Sequence, residues 1–583
     1  MRQWLTTSKM LFLGLCVALV GISNGRLVVA QEASNPKPVR VDQPLLLQQV
    51  ASIETLEKHG RALFEKCDRP DMIEAMENWI KKDLKELKGI DRTRPVGVMF
   101  YLGDVLTEPM WPAFFIPVTN AEEFTNFMAT AGPIQGTVSK VAEKAGVSRI
   151  DFNGNNDVYM IDRNGYVIMV TEEVQTDRNF PDPQALCEPF ANRYDFSFSA
   201  LAKNVPPGLR SVFVEFLKGS ARAGLQQRDR EPDDVYRLRR SAGETGIKQF
   251  ERFVGGTEEL TFGVKLDRET LVAKFELEVV GAPDSKLVKS FAAFPGRHSQ
   301  FGSLLDRETT LTVGVSTILE PDQQKMLKEA WTTAEAALRR EIEKSIAAGK
   351  PGAPTDIEAF APLFSALQRS TEAGLVDVFV QMLGSERAGY QVVGAFRLPG
   401  GEEFPMALQR LVKLIKERAP ENERLQKFEL DVSRINDLPV HRVALDANGP
   451  NKRLYGDDGG ELSIVATPEA IWFATGSTGQ SIAALRSTIE AAKEGVETPG
   501  SVERAPILVS AEVSRWVDLI DRKGQRVETF KEEAEVAFKS SGRQVRLRLK
   551  PAGDALRLQV EVDDGLVKLF GRLIARNIKG AEL

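Results

Sequence analysis

VGVMFYLGDVLTEPMWPAFFIPVTNAEEF, residues 96–124, and VDVFVQMLGSERAGYQVVGAFRLPGGEEF, residues 376–404, are two versions of one stretch. They have the same length without a gap and stand 280 residues apart. Each gives two apolar strands, a polar loop and then Glu-Glu-Phe at the start of an amphipathic stretch. Self-similarity at a long, fixed spacing marks a duplicated structural unit, and it organises the rest of the chain.

Working outward, Asp71-Met-Ile-Glu-Ala75 is echoed by Asp356-Ile-Glu-Ala359, each opening a helical segment. Downstream, Tyr159–Thr171 and Ser463–Thr475 match in length and in apolar placement, and both read as β-hairpins. Asn164-Gly165 supplies the positive φ angles that a tight type I′ turn needs, while Pro468-Glu469 makes the same reversal differently. The strand before each hairpin ends in Asn-Gly, at Asn153-Gly154 and at Asn448-Gly449. A third block, Glu278-Val279 followed by Leu287-Val-Lys289, is matched by Glu561-Val562 followed by Leu566-Val-Lys568, which carries the repeat to the C-terminus.

Consecutive hairpins demand antiparallel pairing, and the long crossover helices of a parallel sheet are not regularly interspersed. The expected fold class is therefore α+β: two tandem homologous units, each a mostly antiparallel sheet covered by helices. They span 45–300 and 301–583, with the boundary near Pro295-Gly296 to Asp306. Pro321–Ala348 carries the longest helical pattern, with Leu327, Trp331, Ala334, Leu338 and Ile342 on one face, and Gly349, Pro351 and Pro354 end it.

The block Ala113–Phe124 and the hairpin Val158–Thr171 resemble a family of exported bacterial proteins of unknown function. Its pattern is an apolar strand, a short polar loop, a helix with an early Phe, and a hairpin with a reversal before a second apolar strand. The likeness covers roughly half of each unit. The second unit departs from it with Gly400-Gly401 in place of Asn120-Ala121 and with extra residues from Pro450 to Gly460. The resemblance implies no activity.

Residues 1–30 read as a cleavable secretory signal: Arg2 and Lys9, then an apolar run from Met10 to Ile22 too short to span a bilayer, then small residues ending at Ala30. Cys16 follows Leu15 inside that run, which is not the setting of a lipid-modified cysteine. A flexible tail, 31–44, would follow, and the product is expected in the periplasm or outside the cell. Removing the signal leaves 73 Lys and Arg against 82 Asp and Glu. An acidic chain without clustered basic and aromatic residues gives no sign of nucleic-acid binding. No apolar run after residue 44 approaches membrane-spanning length, so no integral membrane segment is expected in the mature chain.

Cys67 and Cys187 are the cysteines left after signal removal. They can pair as a disulfide in an oxidising compartment or stand as two buried thiols. Metal binding through them is not expected, because no Cys-x-x-Cys spacing exists and His59, His298 and His441 stand alone in sequence. Asp151, Asn153, Asn155, Asp157 and Asp162 imitate a calcium loop, but Asn156 takes the place of the required glycine and Asp162 that of the final Glu. A hairpin turn explains them better.

Gly476-Ser-Thr-Gly-Gln-Ser481 sits like a phosphate loop between a strand and a helix but lacks the lysine, and it reads as a capped helix start. Glu122-Glu123 and Glu402-Glu403 are paired carboxylates at helix starts, where the dipole favours them, and Asn120 with Glu123 has capping-box spacing. The last helix, Leu566 to Ile578, shows an apolar face of Leu566, Phe570, Leu573 and Ile574 against four basic residues, and is expected to dock on the core. No serine elbow, zinc-protease motif or dinucleotide-binding glycine pattern is present.

No catalytic residue, cofactor or metal ligand is nominated. The expected role is that of a non-catalytic envelope protein that binds or scaffolds through a surface or cleft between its two units. The partner would be a protein or a small apolar ligand, the latter making the chain a carrier of lipid or other apolar cargo. The alternative from another class is a hydrolase whose carboxylates or serines meet only in three dimensions.

Overall fold

Alternation of apolar and polar residues at period two makes strands of much of this chain. The computed structural model describes residues 43–580 except 83–86, 104–109, 132–134, 153–156, 230, 293–298, 306, 308, 348–360, 386–388, 400–403, 406–408, 410–411, 413–426, 458, 496–504, 518–524 and 540. The signal sequence and its cleavage point, Pro295-Gly296 and Asp306 of the unit boundary, His298, the Asn153-Gly154 turn, Asp356–Ala359, Gly349, Pro351 and Pro354 after the long helix, and Glu402-Glu403 therefore lie outside the described residues.

The first ten strands are β1 (Leu46–Val50), β2 (Val96–Tyr101), β3 (Trp111–Pro117), β4 (Thr137–Lys140), β5 (Val147–Asp151), β6 (Asp157–Arg163), β7 (Tyr166–Val170), β8 (Phe196–Ala200), β9 (Thr257–Leu266) and β10 (Ala273–Gly281). All their pairings are antiparallel, in the order β4-β5-β6-β7-β3-β2-β1-β8-β9-β10. The next ten are β11 (Leu311–Ile318), β12 (Leu375–Ser385), β13 (Gly389–Arg397), β14 (Phe428–Ile435), β15 (Leu438–Leu445), β16 (Gly460–Ala466), β17 (Ala470–Gly476), β18 (Ile507–Glu512), β19 (Gln544–Ala552) and β20 (Ala555–Val562). Their order is β14-β15-β16-β17-β13-β12-β11-β18-β19-β20.

A β10–β20 pairing joins the two sets, so one antiparallel sheet of twenty strands runs through the molecule. With helices packed against it, the class is α+β.

The ungapped match of 96–124 to 376–404 needs one correction. Val98 lies opposite Phe114, whereas Val378 lies opposite Phe396 and not Gly394. Nine residues separate β2 from β3 but only three separate β12 from β13, and the extra length of β12 and β13 absorbs the difference. The slip is of two residues, so every side chain keeps its face.

Turn chemistry follows the sequence. Asn164 and Gly165 take φ of 55° and 72° between β6 and β7. Asn120 Oδ1 accepts the Glu123 N–H at 3.0 Å, capping the helix Ala121–Ala131. That helix buries Phe124 and Phe127 among Ile116, Met160, Val167 and Met169 on one face of the sheet. On the other face, Cys187 and Phe190 of the helix Pro183–Ala191 pack with Leu47, Phe115, Tyr166 and Tyr194. In the second set, the helix Gln480–Gly495 buries Leu485 and Ile489 with Phe379, Val393 and Trp472.

Helices also cross between the two sets. After the first-set helix Ile53–Lys66, the Cys67 carbonyl accepts from Arg572 at 3.1 Å, tying it to the closing helix Asp564–Gly580. Reciprocally, the helix Pro321–Ala347 lies along Asp233–Gly256, where Glu320 pairs with Arg252 at 2.5 Å, Ser241 donates to Glu329 at 2.5 Å, and Arg340 pairs with Asp234.

Candidate functional site at the seam between the two strand sets

Because side chains alternate, the strands at the seam sort residue types onto two faces. On one face Phe198, Phe262, Leu277, Leu558, Leu549 and Ile507 stand directly opposite one another in sequence across β8, β9, β10, β20, β19 and β18. Phe198, Phe262 and Leu277 are each 38% exposed, and Phe262 stacks on Phe275 with ring centroids 6.5 Å apart. At one end of this apolar face, Val545 and Val562 pack with Phe538, Leu566 and Leu569. At the far end of β10, Val288 of the helix Lys286–Ala292 sits over Gly281.

The opposite face is polar. Glu278, buried, accepts from Arg193 Nη1 at 2.8 Å and from Arg557 Nε at 2.5 Å, which bridges the two strand sets. Glu276 accepts from Arg193 Nη2 at 2.6 Å, from Gln559 at 2.7 Å and from the Tyr194 hydroxyl. Gly263 admits this arrangement, since a Cβ there would lie 2.3 Å from the Tyr194 ring. Burial, reinforced by Glu276, pushes the Tyr194 phenol well above its ordinary value. Burial works against the Arg193 charge, but Glu278, Tyr194 and Glu276 more than restore it and hold the guanidinium above its ordinary value. Burial also works against the Glu276 charge, yet hydrogen bonds from Gln559, Tyr194 and Arg193 hold the carboxyl below the usual range.

Beside this network a cleft of about 710 Å³ opens, lined by His59, Arg193, Tyr194, Asp195, Glu276 and Gln559 together with the β9–β10 turn. His59 Nδ1 stands 3.5 Å from Asp195 Oδ2. Burial lowers the His59 pKa, Asp195 works the other way, and Arg268 and Lys265 add to the lowering.

The residues singled out in the sequence fall elsewhere. Cys67 and Cys187 are not bonded to each other: both are free and buried. Cys67 stands against Gly571 of the closing helix and Cys187 lies in the core with Tyr166. Burial pushes the Cys67 thiol up to about 11 and the Cys187 thiol up as well. Asp151 and Asp157 face each other across β5 and β6, and Arg149 reaches Asp157 at 2.8 Å and Asp151 at 3.7 Å. Among the described residues no group of three His, Cys, Asp or Glu is placed to hold a metal ion.

The Gly476–Ser481 loop is occupied by the protein itself. The buried Glu461 carboxylate accepts the Gly479 N–H at 2.9 Å and the Ser481 hydroxyl at 2.6 Å, filling the place an anion would take at the start of the helix Gln480–Gly495. His441 is buried, and burial lowers its pKa. The closing helix docks with Leu566, Leu569 and Ala575 buried and Leu573 packed beside them, so Leu566 and Leu573 of the expected face point inward, while Phe570 and Ile574 are 61% and 48% exposed. Its basic residues Arg572 and Arg576 are paired with Glu533 on the helix Gln525–Phe538. Among the described residues no helix is long and apolar enough to cross a membrane.

The seam residues Arg193, Tyr194, Glu276, Glu278, Arg557 and Gln559 carry no motif. The available signal was the strict alternation in Lys274-Phe-Glu-Leu-Glu278 and Arg557-Leu-Gln-Val560, which marks strands with one polar and one apolar face but does not say which strands meet. No family model, curated protein or solved structure matches this chain.

Proposed function

We propose that the chain is an exported, tandemly duplicated, non-catalytic binding protein of the bacterial envelope, and that it takes an elongated apolar ligand, such as a lipid acyl chain, on the apolar face of its seam. Duplication is supported by the two sets of ten strands that pair in the same order and by a seam that joins the last strand of each. Export rests on the sequence of residues 1–30, and a native protein whose mass begins at Gln31 is the expected result.

The observation that carries the binding reading is the apolar row from Phe198 to Ile507, with three of its members 38% exposed. Contiguous uncovered apolar surface on a folded protein marks a place where something docks. Its dimensions favour one occupant. Six strands span about 24 Å, and three residues of one face along a strand cover about 14 Å. That footprint is a few hundred Å², whereas a stable interface between copies needs about 800 Å² from each partner. It suits a chain-like ligand, which would gain about 25 cal/mol per Å² of apolar surface removed from water.

The test is saturable binding of Nile red by the full mature chain, displaced by monoolein. Leu277→Asp and Phe262→Ser, each with unchanged far-UV circular dichroism, are expected to weaken binding about tenfold or more. Unchanged affinity in both folded variants overturns the reading.

A further inference from the structure

We propose that the helix Pro207–Ala223 is a lipid-docking element that lays its outward apolar face on the surface of a bilayer. Leu209, Val212, Phe213, Phe216, Ser220 and Ala223 recur at helical spacing and form one side of that helix. The opposite side is the packed one. There Val214 is buried, Arg210 donates to the Thr257 carbonyl at 3.3 Å, and Lys218 pairs with Glu251 of the helix Asp233–Gly256 at 3.3 Å. This inverts the usual order, in which the apolar stripe faces the core and the charges face water.

Val212, Phe213 and Phe216 are 61%, 54% and 63% exposed. A Cβ at Gly219, beside them, would meet nothing within 4 Å, so among the described residues the face is uncovered there. The Lys218–Glu251 pair sets the level at which the two helices meet. Phe250 and Phe253, within two residues of Glu251, are 40% and 38% exposed and add to the apolar surface at that level.

Area and chemistry select the occupant. At about 200 Å² for a phenylalanine, the exposed parts of these five side chains come to roughly 500 Å². That is short of the about 800 Å² that each copy contributes to a stable dimer. A protein interface also carries about one hydrogen bond per 100–200 Å², whereas Ser220 is the one side chain of the stripe with a polar atom. A bilayer asks for neither shape complementarity nor hydrogen bonds, and a helix lying in its interface plane presents an apolar, Phe-bearing face of this kind. Charge is not the driver, since Arg210 is engaged by backbone carbonyls and Glu215 and Lys218 pair with each other at 2.8 Å.

This contact is independent of what the seam binds, and the test keeps the two apart. The full mature chain is floated with phosphatidylcholine vesicles in low salt and in about 0.5 M NaCl, where surface charge is screened. Equal flotation at the two salts is expected. Phe213→Ser and Phe216→Ser, each with unchanged far-UV circular dichroism, are expected to need about tenfold or more lipid for the same bound fraction. Either variant decides if the other does not fold. Leu277→Asp at the seam should float like the unaltered chain; loss of flotation there, with both phenylalanine variants still floating, would move the lipid contact to the seam and overturn this proposal alone. Absence of flotation, its loss in salt, or full flotation of both phenylalanine variants also overturns it. So does a dimer in sedimentation velocity that those variants abolish, which would give the face to a second copy.

Discussion

Glu278→Gln tests the seam most directly. The carboxylate is buried between Arg193 and Arg557, and substitution leaves two guanidinium groups facing an amide. Removing one partner of a fully buried ion pair costs about 3–5 kcal/mol, whereas exposed pairs are worth about 0–1 kcal/mol. Here the two arginine side chains remain 39% and 36% exposed, so part of each charge returns to water. The expected loss is about 2 kcal/mol. The internal control is Glu561→Gln, since Glu561 pairs with Arg546 at 3.0 Å with both side chains about one-third exposed, and its loss should be about 0.5 kcal/mol or less.

A chain of this size does not unfold as a single two-state unit, so the readout is the first transition in urea, followed by circular dichroism and tryptophan fluorescence together. A double-mutant cycle with Arg557→Leu then isolates the coupling across the seam. Equal losses for Glu278→Gln and Glu561→Gln, or no coupling between Glu278 and Arg557, would refute the assignment of this bridge as the tie between the two strand sets.

Three further outcomes are expected. Gly263→Ala drives a Cβ into the Tyr194 ring and should cost about 2 kcal/mol through displacement of that ring, while Gly219→Ala in the helix Pro207–Ala223, where a Cβ meets nothing within 4 Å, should stabilise slightly; calorimetry of both separates the signs. Burial holds the pKa values of His59 and His441 below their ordinary 6.5, so the unfolded chain protonates first as pH falls. Stability should be flat above about pH 6.5 and decline below it, with His59→Gln removing part of the decline in urea midpoints. Cys67 and Cys187 should resist thiol reagents in the native protein and both react after unfolding without reductant; failure to label either would mean that they are bonded.

What the sequence revealed was local. Asn164-Gly165, Asn120 with Glu123, and the alternation within each hairpin act over a few residues, and the corresponding turns, cap and strands are present. What it hid depends on elements distant along the chain. Arg193 meets Glu278 across 85 residues and Arg557 meets it across 279, and alternation cannot state which strand lies beside which. The stripe on the closing helix was half legible for a related reason: Leu566 and Leu573 pack inward as expected, but Leu569 is buried where Phe570 was expected, and Arg572 and Arg576 pair with Glu533 on a neighbouring helix that apolar content does not reveal. The two-residue slip between β2–β3 and β12–β13 was invisible because it preserves the apolar pattern.

The β10–β20 pairing also bears on which strands of this sheet are left open to pair with another chain. An open sheet ends in outermost strands whose free backbone groups can recruit further chains. Here those strands are β4 and β14. β4 is four residues, Thr-Val-Ser-Lys, all exposed, and β14 breaks register between Glu429 and Ser433 with Asp431 at a φ of 51°. Neither is a good template. A fragment cut between the two halves would instead bare β10 or β20, nine and eight residues long and each apolar on one side. Proteolytic nicking there should leave the halves associated, and expressing either half alone should yield fibres or dimers.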